Sequence, residues 1–303
     1  MTPARCAEGI TLAASALAPR TTAPPSLGWI GRAATVALYD ELALYPKPGL
    51  VSFVDTGSHD DMTAGTFLRS LFSLRHYFQR ITALGAAGAG FDAVEAAGIG
   101  AEQAMLRATH GINTHRGAIF SLGLLCAAAG WLAARHRPVT PAALRETLQR
   151  QWGTALQQRG AHGATSHGRA AVRQHGLRGA NEEAALGMPL LFDIAVPVLQ
   201  RGLAAGLPPA VARLDTFFHV MAGLDDTNLV HRGGLAALRD AQQAARDYIA
   251  AGGAAHPQGQ DRALALHRAF VARRLSPGGA ADLLAAACWV VRVGAGRTGR
   301  LRR

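Results

Sequence analysis

Apolar residues recur every three or four positions over most of the chain, the spacing that gives an amphipathic helix one buried face. Leu144, Leu148 and Trp152 follow this spacing, and Thr140 and Pro141 before them form a usual helix start, an N-cap followed by proline. Alternating runs of β-branched residues, which would predict strands, are scarce. The pattern predicts helices at residues 29–44, 62–82, 91–109, 115–134, 141–159, 180–201, 209–223, 234–251, 260–274 and 279–291.

The predicted architecture is all-α: a compact single-domain bundle of about ten helices, with functional loops at the helix ends. Residues 1–28 are rich in Ala, Thr and Pro, and we expect them to be poorly ordered. Residues 29–291 would form the all-helical catalytic domain. Residues 292–303 are rich in arginine and are expected to be a basic tail in solvent.

One segment, residues 117–134, has 18 uncharged residues between two arginines, which is the low edge of a membrane-spanning length. It is rich in Ala and Gly rather than Leu, and no second segment matches it, so a buried central helix is the favoured interpretation. The chain has three cysteines, an odd number, and they lie far apart in the sequence, which argues against a disulfide framework or a CxxC zinc site. A reducing cytoplasm is the simplest compartment.

The composition narrows the class of protein. Apolar residues make up 49% of the chain and charged residues 17%, which excludes a chain disordered throughout. The net charge of +11 implies an anionic partner: nucleic acid, a membrane surface or a phosphorylated small molecule. Aromatic residues reach only 6%, so stacking platforms for nucleic acid are poorly supplied. Walker A, Rossmann, HExxH and GxSxG motifs are absent.

Two early loops carry candidate chemistry. Lys47 lies between two prolines, which would hold it in an extended turn where it can meet a phosphate; the alternative is a lysine in water. Asp60 and Asp61 adjoin His59 just before a predicted helix. These carboxylates can bind a divalent cation through their oxygens, or they can simply cap the helix.

A third cluster lies before the apolar segment. Glu102 sits among Ala, Met and Leu, so we expect it to face inward, where a carboxylate needs a partner or a metal. Asn113 or Thr114 can cap a helix that starts near His115. Arg116 lies beside that helix N-terminus, whose free N–H groups can bind a phosphate. The alternative is an ordinary capped turn.

Two further loops combine acidic and basic residues. Arg178 precedes Glu182 and Glu183, whose place at a predicted helix start is partly explained by the helix dipole. Asp225 and Asp226 follow an apolar helix and precede a basic glycine turn. Carboxylates beside such a turn are a good arrangement for a metal ion and phosphate.

The same glycine turn contains Asn228 and Arg232, which can contact phosphate oxygens. In a last loop, Ser276 would cap the next helix and Pro277 would start it, with two glycines that permit a ligand to approach closely. A sharp corner between helices is the alternative. Together the loops indicate Mg²⁺ and polyphosphate on a helical frame.

At these loops the sequence resembles the triphosphoribosyl-dephospho-CoA synthases. The matching blocks run in the family's order from about Tyr39 to Leu284, and several long blocks in order are more specific than any single one. They are PKPGLV (46–51), GSHDDM (57–62) with the following Phe67 and Ser70, GINTHRGAIFSLGLL (111–125), DTNLVHRGG (226–234) and SPGGAADLLA (276–285). Two features depart from the family: Arg116 replaces a frequent lysine, and the family's Arg-Gly-Glu segment is stretched at 178–183.

The resemblance implies a transferase that joins ATP to 3′-dephospho-CoA and expels adenine. The product would be the prosthetic-group precursor that passes to an acyl-carrier-protein transferase; neither nucleic acid nor a membrane is implied as a partner. One branch of the family serves citrate lyase and the other malonate decarboxylase. The stretch SFVDTGSHDDM, followed by TFLRSLFSLRHYF, is more similar to the malonate decarboxylase branch.

The resemblance and the residue chemistry together suggest roles. Loss of adenine passes through a cation-like ribose, so the site needs a triphosphate grip, a base and a proton donor. Mg²⁺ and triphosphate are assigned to Asp60, Asp61, Asp225 and Asp226, and phosphate oxygens to Lys47, Arg116 and Arg232. Further substrate contacts are assigned to Asn113, Thr114, Arg178, Asn228 and Ser276. The base would be Glu102, Glu182 or Glu183, and the proton donor His59 or His115.

Three other functions fit parts of the pattern. A helical metal-dependent hydrolase of ADP-ribosyl or nucleotide bonds would use the same carboxylates with water as acceptor. An inactive nucleotide- or CoA-binding partner of the decarboxylase would bind ATP without turnover. A basic RNA-binding protein would show steep salt dependence, but the ordered acidic motifs argue against it.

Overall fold

The structure is a computed structural model that describes residues 25–162 and 175–295, and every regular element in those residues is helical. The predicted all-α architecture is therefore confirmed. The α-helices are α1 (Leu27–Leu42), α2 (Ala64–Ala86), α3 (Phe91–Ala108), α4 (Arg116–Ala133), α5 (Pro141–His162), α6 (Ala180–Ala185), α7 (Val196–Ala204), α8 (Pro209–Gly223), α9 (Thr227–Ala250), α10 (Gly259–Ala272) and α11 (Gly278–Gly294). A π-helical turn (Leu190–Ala195) precedes α7, and a 3₁₀ turn (Gly253–Ala255) precedes α10.

Helix α4 lies at the centre of the bundle. It packs against α1, α2, α3, α5 and α11. Among the described residues it is the one helix long and apolar enough to cross a membrane, with a mean hydropathy of 1.5, but 72% of it is buried within the protein. The expected buried central helix is confirmed, because neighbouring helices cover its apolar surface.

Helix ends follow local capping chemistry. The Thr140 hydroxyl accepts a hydrogen bond from the Ala143 N–H (3.2 Å), as its predicted N-cap role requires. Thr63 and Thr66 form a capping box at the start of α2, so Asp60 and Asp61 do not cap that helix. The loop before α2 therefore leaves both aspartates exposed and free of a capping role.

Two predicted helices differ from the structure. The helix expected at 180–201 is interrupted after α6, where Gly187 and Met188 have positive φ angles and Pro189 follows. The helix expected at 234–251 begins earlier, at Thr227, because Asp226 caps it; the glycine pair at 233–234 is a kink inside it.

The chain ends also bear on the domain prediction. Residues 1–24 and 296–303 lie outside the described residues, so most of the predicted disordered start and basic tail are not covered. Helix α11 continues to Gly294, and Arg292 makes an ion pair with Asp40, which also contacts Arg213 (3.0 Å). The expectation that Arg292 belongs to a solvated tail is wrong, because α1 supplies a carboxylate for it.

Candidate active site

The loop that joins α1 to α2, residues 43–63, forms one wall of the candidate site. Lys47 in this loop is completely buried, and its ammonium donates to the Glu41 carboxylate and to the Glu41 carbonyl oxygen (2.6 Å). Burial lowers the pKa of Lys47, and the adjacent Glu41 opposes that shift. A charge at this depth is held only because Glu41 compensates it.

The position of Lys47 corrects both sequence interpretations. It is neither a lysine in water nor a cation presented on the surface to a phosphate, because no part of the side chain is exposed. The two prolines do hold the turn, but they direct Lys47 inward towards α1. Its role in this structure is to join the loop to α1 through a buried ion pair.

The same loop is seated on the segment that joins α10 to α11. Gly49 has a φ of 65°, and an added Cβ would overlap the Leu275 carbonyl oxygen. The Ser58 hydroxyl donates to the same carbonyl oxygen at 2.6 Å. These contacts place His59 beside the start of α11.

His59 links three separate parts of the chain. Its Nε2 lies 2.9 Å from the buried Ser276 hydroxyl, and its Nδ1 lies 3.1 Å from the Arg232 guanidinium. Because a guanidinium can only donate, Nδ1 accepts and the proton is on Nε2, which donates to Ser276. The pKa of His59 is lowered by burial and then by the charge of Arg232, so the ring is a neutral hydrogen-bonding group in this arrangement. Ser276 contacts His59 instead of capping α11, which begins at Gly278.

Arg232 is an exposed cation held in a fixed position. It donates to the Ser58 carbonyl (3.2 Å), the Arg274 carbonyl (2.9 Å) and His59. A guanidinium has about five N–H donors, so two remain for an anionic ligand. Asp61 lies next to it, with a carboxylate oxygen 3.7 Å from His59 Nδ1.

Buried carboxylates lie where the starts of α4, α9 and α11 meet. Asp226 caps α9 through the Asn228 N–H (2.9 Å) and also accepts from the Ala280 N–H of α11 (3.1 Å). Asp282 accepts from the Ala118 N–H of α4, close against Gly117.

Burial is the first cause that raises the pKa of both carboxyl groups. For Asp226, the N–H groups of Asn228 and Ala280 oppose the shift. For Asp282, the nearby charges of Glu41 and Asp226 raise the pKa further, well above its usual range. One N–H group at the start of α4, the helix end that the sequence offered to phosphate, is therefore already bound by the chain's own Asp282.

His115 begins α4 within a hydroxyl relay. Thr114 donates to the Ser70 hydroxyl (2.7 Å), which lies 2.6 Å from His115 Nδ1. Burial and the charge of Lys47 lower the pKa of His115 to about 3, so the ring is neutral near pH 7. The relay places the His115 proton on Nε2, a buried atom without a hydrogen-bond partner. Thr114 serves this relay instead of capping α4.

Glu102 and Arg116 form an ion pair beside the start of α4. The Glu102 side chain is about one-third exposed, so the expected inward-facing carboxylate has a partner and partial access to solvent. Asn113 accepts a hydrogen bond from the Arg116 N–H (3.2 Å), which agrees with its predicted capping role. Although Arg116 holds one oxygen of the Glu102 carboxylate, Glu102 can still accept a proton through its second oxygen.

The segment before α6 is held mainly by internal contacts. Both oxygens of Glu183 are engaged, one by Arg178 (3.3 Å) and one by the Leu190 N–H (2.7 Å). Asp225 accepts from the Arg178 N–H (3.0 Å), and Glu182 is exposed. Glu183 therefore has a structural role, whereas Asp225 and Glu182 keep access to solvent.

The four predicted metal ligands do not form one cluster. In the described residues no group of three His, Cys, Asp or Glu side chains has a metal-binding arrangement. Asp226 is occupied by N–H donors, whereas Asp60 and Asp61 are exposed. This donor set does not build a protein cage, but it fits Mg²⁺ that arrives on a triphosphate, since such ions use one or two carboxylates and keep several waters.

Sequence reasoning missed two buried acids, Glu41 and Asp282. Glu41 lies in the apolar stripe of α1, and Asp282 lies in an apolar run of α11. The argument that singled out Glu102, a lone carboxylate in an apolar helix, would have found both.

Comparisons with known proteins match nearly the whole chain. A family model described as ATP:dephospho-CoA triphosphoribosyl transferase matches residues 28–300. A probable 2-(5''-triphosphoribosyl)-3'-dephosphocoenzyme-A synthase of Acinetobacter calcoaceticus is 38% identical over 86% of this chain and 89% of its own length. A synthase of the same name, from Pectobacterium atrosepticum, is 39% identical over 82% of this chain and 84% of its own length. No solved structure matches.

Proposed function

Because the chain belongs to the family of ATP:dephospho-CoA triphosphoribosyl transferases, we propose that the site around Arg232, His59 and Glu102 links the ribose of ATP to 3′-dephospho-CoA and releases adenine. The bond from ribose C1 to adenine breaks, and C1 bonds to the 2′-hydroxyl oxygen of dephospho-CoA. The hydroxyl proton is finally carried by adenine. The products are adenine and 2′-(5″-triphosphoribosyl)-3′-dephospho-CoA.

One observation supports the triphosphate end of this proposal. Arg232 is fixed by two carbonyls and His59, it keeps free N–H donors, and the exposed Asp60 and Asp61 lie on the same loop as His59. A fixed guanidinium beside exposed carboxylates, whose own contacts are long surface pairs with Arg274 (3.8 Å) and His59 (3.7 Å), is a suitable donor set for a metal–polyphosphate. We assign Mg²⁺ to Asp60 and Asp61, where it would neutralise phosphate charge.

The acceptor end is assigned to the edge where α3 meets α4. Glu102 is the best-placed base among the three predicted glutamates, because Glu183 is fully engaged and Glu182 has no positioning partner among the contacts described above. Arg116 orients Glu102, as an orienting partner does for other general bases. The lowered pKa values of His59 and His115 make both rings neutral, which argues against the predicted transfer of a proton from an imidazolium to adenine. His59 already donates its one ring proton to Ser276, and His115 is buried, so both rings support the site without donating to the substrate.

We further propose that the product serves malonate decarboxylase rather than citrate lyase, and that an acyl-carrier-protein transferase in the cytoplasm receives it. The support is the sequence from Ser52 to Phe78, which is more similar to that branch. A strain without this chain should lose the prosthetic group of the malonate decarboxylase carrier and keep that of a citrate lyase carrier. Loss from the citrate lyase carrier instead would reverse the assignment.

The reaction itself is tested by adenine release. Pure protein is incubated with ATP and Mg²⁺, with and without 3′-dephospho-CoA, and the products are separated with mass detection. Adenine that requires dephospho-CoA, with the matching adduct, supports the proposal. Adenine released without the acceptor would indicate the hydrolase, and ATP binding without adenine would indicate an inactive binding partner.

A further inference from the structure

His267 of α10 joins the two sides of the α1–α2 loop from beneath. The residue is 4% exposed. Its Nδ1 lies 2.7 Å from the carbonyl oxygen of Lys47, and its Nε2 lies 3.1 Å from a carboxylate oxygen of Asp55. The two contacts are on opposite edges of one ring, so the ring bridges positions that are eight residues apart in the loop.

The partners determine where the protons of this ring lie. A carbonyl oxygen only accepts hydrogen bonds, so Nδ1 donates to Lys47. Nε2 lies within ion-pair distance of the Asp55 carboxylate, which when ionised can only accept, so this contact is attractive when Nε2 also carries a proton. A neutral ring would direct a lone pair at a carboxylate oxygen 3.1 Å away, which is repulsive. Both contacts of His267 are attractive at the same time only when both ring nitrogens carry a proton.

Each partner in turn organises its own side of the loop. The Lys47 carbonyl also accepts from the Leu50 N–H (3.1 Å), which closes the turn that contains Gly49. The second Asp55 oxygen accepts from the Gly57 N–H (2.9 Å), just before Ser58 and His59. Tyr45 lies edge-on to this ring at 5.5 Å, and its hydroxyl hydrogen-bonds Asp55 and feels the charge of Arg268. The Lys47 ammonium pairs with Glu41.

We propose that His267 is a positioning residue for triphosphate binding: as an imidazolium it fixes both sides of the α1–α2 loop and so sets His59 against Arg232. The inference rests on the proposed function of that site. It also assigns Asp55 a purpose, since the charged pair aligns the turn that leads into His59. Neither residue touches the substrate in this account.

The protonation state can be measured without activity. In ¹⁵N-histidine-labelled protein at pH 7, the ring resonances that disappear in the His267→Gln variant should show both nitrogens protonated. A neutral ring for His267 would overturn the inference, whatever the enzyme does with ATP.

The positioning role is tested with variants that separate the hydrogen bond to Lys47 from the ion pair with Asp55. His267→Asn can keep a donor at the Nδ1 position, and His267→Gln can keep one at the Nε2 position. We expect each to raise KM for ATP about tenfold to a hundredfold, the loss typical of a hydrogen bond to or from a charged group. KM for dephospho-CoA should change less than about threefold. His76→Asn, at an exposed position of α2, is the matched control and should leave both constants unchanged.

The comparison of KM for ATP with KM for dephospho-CoA distinguishes a positioning role from simple loss of structure. Partial unfolding would lower kcat by reducing the active fraction and leave both KM values unchanged. That outcome, or a wild-type KM for ATP in both variants, would overturn the inference. If the wild type releases no adenine at all, the proposed function fails, and the Kd for MgATP of the same variants replaces KM as the test of His267.

Discussion

The buried ion pair between Lys47 and Glu41 allows a stringent test of how the loop is held. Lys47→Met removes the ammonium but keeps an unbranched apolar side chain of similar length. Glu41 would then be a buried carboxylate without its partner, since its side chain is only 7% exposed. Removal of one member of a buried pair costs about 3–5 kcal/mol, so we expect a loss of that size in the free energy of unfolding.

The double variant Glu41→Gln with Lys47→Met removes both charges of the ion pair together. It leaves no buried charge at this position, so its stability should return to within about 1–2 kcal/mol of the wild type. The exposed pair Arg150–Glu146 on α5 is the control, because Arg150→Met should change stability by less than about 0.5 kcal/mol.

The free energy of unfolding is measured by urea titration, with circular dichroism as the signal, for the wild type, Lys47→Met, the double variant and Arg150→Met. A loss below about 1 kcal/mol for Lys47→Met would refute the buried pair, as would a double variant no more stable than the single one. The double variant also tests the revised role of Lys47. If Lys47 acts through the loop and not on phosphate, the refolded double variant should keep a KM for ATP within about tenfold of the wild type.

Three further predictions concern other parts of the site. The pKa of His115 is about 3 in the folded protein, below the usual 6.5, so the unfolded chain alone takes up this proton as the pH falls. The free energy of unfolding should therefore drop by about 1.7 kcal/mol from pH 6.5 to pH 5, and His115→Asn should lack that part of the slope in urea titrations. Gly49→Ala should lose more than about 2 kcal/mol in thermal or urea unfolding because of positive φ and overlap, whereas Gly100→Ala, in a helix with open space around it, should gain about 0.5–1 kcal/mol. Glu102→Gln should lower kcat for adenine release about a hundredfold or more, and Glu182→Gln should stay within about twofold; equal effects would contradict the choice of base.

The helical frame was largely predictable because local signals agree with the tertiary structure. Apolar spacing and the Thr140–Pro141 start are enough to place α5, and the length and Ala-rich character of 117–134 are enough to place α4. The prediction failed at 180–201, where the chain turns at Gly187 and Met188 although the apolar pattern continues. Periodicity reports which faces are buried, and it does not report where the backbone leaves one helix to begin another.

The polar residues of the site could be singled out from the sequence, but the groups that they contact could not. The sequence pointed to Lys47, Asp226 and Ser276 as ligand-binding groups, because lone polar residues in glycine- and proline-rich loops suggest a site. In the structure all three are buried, and their partners are Glu41, α-helix N–H groups and His59. His59 is far from Ser276 in the sequence, and the N–H groups belong to the backbone, so no local spacing could reveal these partners. Glu41 is only six residues from Lys47, but it lies on the preceding helix, outside the loop pattern that singled out Lys47.

The central claim is that the surface around Arg232 binds the triphosphate of ATP in the family's reaction. It is tested most directly by the kinetics of acceptor-dependent adenine release in two arginine variants of α9, Arg232→Met and Arg246→Met. Arg246 lies on α9 beyond the kink at residues 233–234, and it donates hydrogen bonds to the Gln243 side chain and the Ala222 carbonyl. With folding confirmed by urea unfolding, Arg232→Met should lose at least about a hundredfold in kcat/KM for ATP, and Arg246→Met should stay within about twofold. Normal kcat/KM in Arg232→Met, or an equal loss in both variants, would contradict the claim.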